Sequence, residues 1–163
     1  ITDYADELLE DLKELDGWPE RVKTMQKNWI GRSEGLEFSF DVPDFQEKLA
    51  VYTTRPDTIY GVTFVVVPPE HPIVEKILVD NPKAAELKVF CDKVRNQSDI
   101  ERTSSESEKE GMFTGHYCIH PLTGRKVQIW ITNYVLYDYG TGAVMGVPTH
   151  DSRDWMFADK LWH

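Results

Sequence analysis

Before Gly31 the apolar residues of this chain recur every three or four positions, and from Leu36 onward they alternate with polar ones. No single element type serves both patterns, so the sequence predicts a helical lead-in followed by a sheet-rich body. Tyr4, Leu8, Leu9, Leu12 and Leu15 predict an amphipathic helix over residues 3–15, which Gly17 breaks. Pro19 suits the first turn of a second helix that carries Val22, Met25 and Trp29 and ends near Gly31. The expected division is a helical flanking segment over 1–31 and a folded domain over 32–163.

In the body, Leu36, Phe38, Phe40 and Val42 predict a half-buried strand, and Leu49, Val51 and Thr53 its partner across the Pro43-Asp44 turn. The run over 62–67, apolar but for Thr63, reads as a strand covered on both faces. Pro72 opens a short helix, and Asn81-Pro82 a second with Leu87, Phe90, Cys91 and Val94 as its stripe. Residues 96–111, rich in Ser and Glu, read as a mobile surface segment. Strands return at Tyr117 and Ile119, at Val127, Ile129 and Ile131, and over 143–147, and a last helix starts near Asp151 with Trp155, Ala158 and Leu161 along it. The expected class is α+β: a mixed, largely antiparallel, barrel-like sheet with peripheral helices.

At 163 residues, 40% of them hydrophobic, the chain has the size and composition of one compact domain. Its longest apolar run, 62–69, falls far short of the roughly 20 residues that span a bilayer, and no basic-then-apolar leader is visible. A soluble, cytoplasmic protein is the expectation, and a start at Ile1 suits an excised fragment or a cleaved tag. Cys91 and Cys118 form no framework and read as free thiols. A net charge of −10 argues against tight autonomous binding of nucleic acid, although much of the acid is concentrated over 3–16 and a local RNA contact elsewhere survives.

Three polar clusters are candidates for chemistry. Thr53-Thr54-Arg55-Pro56-Asp57-Thr58 is either a polar turn or the lining of a polar pocket beside a strand that Pro56 interrupts. Gly140-Thr141-Gly142 lacks the Gly-Lys-Ser/Thr of a phosphate loop and reads as a tight turn or a close backbone approach. His150-Asp151-Ser152-Arg153-Asp154 is a capped helix start, or places His150 and Asp154 one turn apart toward a common ligand. His116, Cys118 and His120 share one strand face at about 6.6 Å spacing, awkward for closing round zinc, so partly exposed strand residues are the alternative. No nucleophile–base arrangement is evident.

Together these segments resemble, in order and spacing, the editing domain of leucyl-tRNA synthetases. Asn28-Trp29-Ile30-Gly31-Arg32-Ser33-Glu34-Gly35 resembles the lead-in to that insertion, and Gly17-Trp18-Pro19-Glu20-Arg21-Val22 the flanking helix of bacterial-type members. The 53–58 cluster looks like the family's threonine-rich motif, and Gly140-Thr141-Gly142-Ala143-Val144-Met145-Gly146-Val147-Pro148 with 150–154 its second motif. Valyl and isoleucyl enzymes share the architecture, but Asp57 and the 145–148 run favour the leucyl kind. Gly146 and Thr149 stand where members often carry Ala or Gly, which is expected to alter pocket size slightly.

The resemblance implies a hydrolase acting on the ester between a wrong amino acid, such as norvaline or isoleucine, and the 3′-terminal adenosine of tRNA. It needs no cofactor and no metal. Implied partners are aminoacylated tRNA and the remainder of the leucyl-tRNA synthetase chain, in a monomer. Asp154 would anchor the α-ammonium, Thr53 and Thr54 the ester or water, and Arg55 the adenosine end. Thr58 would exclude leucine, Met145 and Val147 would form an apolar wall, and Tyr139 a polar rim, with His150 beside Asp154. Met145, Val147 and Tyr139 could equally be core residues. A non-enzymatic RNA- or partner-binding module of the same fold is the alternative.

Overall fold

The computed structural model describes residues 2–31, 34–104 and 107–162. Arg32 and Ser33 of the lead-in motif, Ser105 and Glu106, and the Leu161 side chain lie outside the described set. Two compact units divide between Glu34 and Gly35.

In the first unit a 3-10 turn (Thr2–Tyr4) runs into α1 (Ala5–Asp11), and α2 (Glu20–Ile30) follows. The helix expected over 3–15 is therefore cut short, and Lys13 and Glu14 donate only to carbonyls three residues back. Glu10, Asp11, Glu14 and Asp16 crowd the negative helix end, which disfavours its continuation, and Lys13 offsets only Glu10. No residue of α1 or α2 is buried, and Tyr4, Leu8, Met25 and Trp29 are exposed.

The second unit is built on one sheet of six strands in the order β2-β1-β4-β5-β3-β6. The strands are β1 (Leu36–Val42), β2 (Glu47–Thr53), β3 (Phe64–Val67), β4 (Gly111–Ile119), β5 (Lys126–Thr132) and β6 (Val144–Gly146). All pairings are antiparallel except β3 with β5, so the sheet is mixed. Its ladder does not close into a barrel, although the Tyr52 N–H of edge strand β2 donates to the Ala143 carbonyl just before the other edge, β6.

Every residue of β3 is buried because both faces of the sheet are covered there. Val65 and Val67 pack with Ile73, Val74 and Ile77 of α3 (Ile73–Leu78) and with Leu87 and Cys91 of α4 (Ala84–Arg95). Phe64 and Val66, one residue out of phase, pack with Phe157 and Ala158 of α6 (Ser152–Trp162). Each such aliphatic side chain removed from water contributes about 1.5–3 kcal/mol. Trp155 of α6 faces outward instead.

The described part of 96–111 is anchored, contrary to the mobile segment that its composition suggested. Ser98 and Glu101 form a reciprocal cap at the start of α5 (Asp99–Thr103). Arg102 and Lys109 are buried, and the Lys109 ammonium donates to the Ser104 carbonyl. Polar composition misleads here because the burial is carried by charged side chains, and the partners of Arg102 lie far away in sequence.

Candidate functional site

β2 ends at Thr53 and the chain turns through Thr54 and Arg55 into a 3-10 segment (Pro56–Gly61). β6, an edge strand, leads through Val147 and Pro148 to the start of α6. Between these elements lies a cavity of about 330 Å³. Thr53, Thr54, Arg55 and Thr58 line it from the first, and Met145, Val147, His150 and Asp154 from the second. Tyr139 joins from the connection between β5 and β6. All nine residues singled out in the sequence thus share one hollow, whose size lies at the lower end of the roughly 300–1,000 Å³ usual for small-molecule clefts.

The 53–58 segment is held by bonds within itself. The Arg55 N–H donates to Thr53 Oγ1 (3.0 Å), and the Thr58 hydroxyl and N–H both donate to the Arg55 carbonyl (2.9 and 3.1 Å). Thr58 is 6% exposed, so a β-branched side chain, stiff at its first torsion, is buried with its hydroxyl committed to the Arg55 carbonyl. The Arg55 guanidinium makes two hydrogen bonds to Asp57 (3.0 and 2.8 Å) in full solvent, which holds Asp57 below the usual carboxylate range. Among the described residues the Thr54 hydroxyl has no hydrogen-bond partner, so a ligand can engage it without displacing one.

Asp154 is 6% exposed at the first turn of α6. Its Oδ2 accepts the Val147 N–H (2.8 Å) and its Oδ1 the Tyr134 hydroxyl (3.2 Å). Burial pushes its pKa up to about 6, with the Asp151 charge adding to the rise and the two hydrogen bonds opposing it. At neutral pH it is a mostly ionised, largely buried carboxylate, which favours a cationic partner. Asp151 caps the helix by accepting the Arg153 N–H (2.8 Å) while binding the Arg153 guanidinium. The capped helix start and the placement of His150 and Asp154 in one cavity therefore coexist.

Some lining residues carried no signal in the sequence. Tyr134, Val135 and Leu136 follow β5, and Thr103 ends α5. Tyr134 reads as one more apolar residue after Ile131, and only its bond to a carboxylate 20 positions onward reveals a polar task. Conversely, neither Gly146 nor Thr149 lines the cavity, and a Cβ on Gly146 would run into the Phe64 ring of the core. The expectation that these two positions tune pocket size is corrected accordingly. Gly140 and Gly142 have φ of 60° and 76°, and a Cβ on Gly142 would lie 2.7 Å from the Tyr137 ring, so tight turning and close approach both apply.

His116, Cys118 and His120 are committed to different partners. His116 Nδ1 pairs with Asp44 (2.7 Å), the Cys118 thiol donates to the Val127 carbonyl, and His120 Nε2 meets the Ile59 carbonyl (2.9 Å). Cys118 and His120 are fully buried rather than partly exposed. Burial holds the Cys91 thiol above its ordinary pKa and pushes Cys118 up to about 12, and neither lines the cavity. Among the described residues, no Ser or Cys lines the cavity.

The family model described as "Leucyl-tRNA synthetase, editing domain" matches residues 27–162. The leucine–tRNA ligase of Symbiobacterium thermophilum is 59% identical over 98% of this chain, and that of Nitratidesulfovibrio vulgaris 54% over 98%. The chain spans 19% of the length of each. Among solved structures, the Agrobacterium radiobacter K84 agnB2 LeuRS, in a ternary complex with tRNA and LeuAMS, superposes with a TM-score of 0.78. It is 40% identical over 98% of this chain, which again corresponds to 19% of that protein. A family-model match over more than four-fifths of the chain, spanning every segment that builds the cavity, means that this protein belongs to the leucyl-tRNA synthetase editing-domain family.

Proposed function

We propose that the cavity hydrolyses the ester of wrongly charged tRNALeu and turns correctly charged leucyl-tRNA away. The observation that carries this reading is that Thr58 and Asp154, far apart in sequence, line one hollow. Asp154 holds the α-ammonium of the aminoacyl ester, which in turn favours the ionised carboxylate. Pinned Thr58 sets the depth available to the amino-acid side chain. An unbranched chain such as norvaline enters, whereas the terminal methyls of leucine meet the Thr58 methyl. Met145 and Val147 supply the apolar wall for the chain that enters.

The chemistry follows from what the lining offers. Water adds to the ester carbonyl, the bond to the ribose oxygen breaks, and that oxygen leaves as a hydroxyl. With no Ser or Cys among the described lining residues, water is the nucleophile and the protein's task is orientation. The Thr53 hydroxyl accepts the Arg55 N–H and keeps its own proton to donate, and the Thr54 hydroxyl is open, so both serve the ester oxygen or the attacking water. Arg55, Tyr139 and His150, all exposed at the rim, meet the terminal adenosine. Synthesis alone separates side chains that differ by one methylene by only about 1–3 kcal/mol, which is the deficit that such a hydrolase corrects.

Segment 1–31 acts as a helical flank to the domain over 32–163, and the whole works within a leucyl-tRNA synthetase chain, as a cytoplasmic monomer. No described helix is long and apolar enough to cross a membrane. The test is to give the intact protein tRNALeu charged with norvaline or with leucine. Loss of norvaline with retention of leucine is expected. Equal hydrolysis of both contradicts the exclusion, and hydrolysis of neither leaves a non-catalytic RNA- or partner-binding module.

A further inference from the structure

Arg102 is a guanidinium at 5% exposure whose donors are almost all used. Its Nε donates to the Asn133 carbonyl (3.1 Å) and its Nη2 to the Val135 carbonyl (2.6 Å). Both Nη atoms also meet the Glu70 carboxylate (3.2 and 3.3 Å). The two carbonyls bracket Tyr134, beyond the end of β5, where Asn133 is also tied to Glu108 and Glu110 but, among the described residues, Arg102 alone bonds both carbonyls flanking Tyr134. Tyr134 is itself 7% exposed and donates its hydroxyl to Asp154 Oδ1. Burial, and after it the Asp154 charge, holds this phenol well above its ordinary pKa, so it remains a donor throughout the working range.

These contacts form one chain: Glu70 fixes Arg102, Arg102 fixes the backbone on both sides of Tyr134, and Tyr134 fixes one oxygen of Asp154. Val147 fixes the other oxygen. Only a guanidinium has enough donors in a rigid fork to serve two carbonyls and two carboxylate oxygens together, and an ammonium has three. Resting on the reading of Asp154 as the ammonium anchor, we propose that Tyr134 and Arg102 are positioning residues for the hydrolysis, Arg102 placing Tyr134 and the Tyr134 hydroxyl aiming the Asp154 carboxylate at the substrate amine.

The test follows kcat/KM for hydrolysis of norvalyl-tRNALeu between pH 5 and pH 8, because its acid limb reports the carboxylate of the free enzyme. Four intact proteins are compared: wild type, Tyr134→Phe, Arg102→Lys and the double variant. Tyr134→Phe removes a hydrogen bond to the charged form, so its acid limb moves up by about one pH unit. Arg102→Lys is expected to move the limb in the same direction. The double variant moves it no further, since both changes cut the same chain of contacts. A role in folding alone would lower the melting temperature of Arg102→Lys and leave the limb in place.

An active wild type whose Tyr134→Phe variant keeps the wild-type limb and rate overturns this inference and leaves the proposed function standing. The inference is equally overturned if the two shifts add in the double variant. A wild type inactive toward the norvalyl ester at every pH overturns both. Tyr134→Phe keeps the ring that packs on Phe157, so its result stands even where Arg102→Lys fails to fold.

Discussion

Two arginine–carboxylate pairs bear on the same cavity, and they do opposite work. Arg55 and Asp57 are two residues apart, and their side chains are 61% and 63% exposed. Arg102 and Glu70 are 32 residues apart, with side chains 5% and 32% exposed. The first pair is a local, solvated feature that can open toward a ligand at little cost. The second is a buried clamp whose donors are spent on the protein itself. The same pairing of chemical groups thus serves as a rim contact in one place and as scaffolding in the other, and burial decides which.

The contrast extends to the two sides of the lining. Thr53 and Thr58 are positioned by bonds that span two or three residues, whereas Asp154 depends on Tyr134, 20 residues away, and through it on α5. The first side is therefore robust and self-contained. The second depends on contacts that are distant in sequence.

The largest effect is expected at Asp154. Removing one partner of a buried charge interaction costs about 2–5 kcal/mol, so Asp154→Asn lowers norvalyl-tRNA hydrolysis by about 30-fold or more. The same substitution raises stability at neutral pH. The folded pKa of about 6 lies above the ordinary 3.8, so the stability linked to this proton is fully present below pH 3.8 and lost as pH rises through 6. Thermal melting at pH 7.5 should show Asp154→Asn above wild type by roughly 1–3 kcal/mol, with the gap closing near pH 4. A variant that melts lower at both pH values contradicts a carboxylate held at an energetic cost.

Next in size comes the comparison of the two arginine pairs. Arg102→Met removes a buried cation and orphans two carbonyls, which is expected to cost about 3 kcal/mol in denaturant unfolding. Asp57→Asn breaks the exposed pair and should leave the melting temperature unchanged. Equal losses from the two variants would erase the distinction between rim and clamp.

Much of the fold was legible because its signals are local. The alternation in β1 and β2 predicts a pairing that the register Phe38–Val51 and Phe40–Leu49 realises, and the apolar run ending at Val67 predicts a strand covered on both faces. Pro19, Pro72 and Asn81-Pro82 stand at helix starts as expected. Eight of the residues found in the lining were legible through the order of two motifs, which bring distant segments into one reading, and Tyr139 stands just before the second. What could not be read is long-range and polar: the anchoring of 96–111 by Arg102 and Lys109, the task of Tyr134, and the Phe64 ring that occupies the space beside Gly146. Composition marks Ser and Glu as surface residues, and no periodicity reports a guanidinium that finds its backbone partners 31 and 33 positions along the chain.

Exclusion of leucine by a pinned threonine is the centre of the account, and one measurement addresses it directly: release of leucine from leucyl-tRNALeu by the intact Thr58→Ala protein. Deleting the Thr58 methyl and its bond to the Arg55 carbonyl deepens the hollow, and leucine release is expected to rise at least about tenfold over wild type while norvaline is still released. Leucyl-tRNA as stable with Thr58→Ala as with wild type, in a protein that still hydrolyses the norvalyl ester, would contradict it.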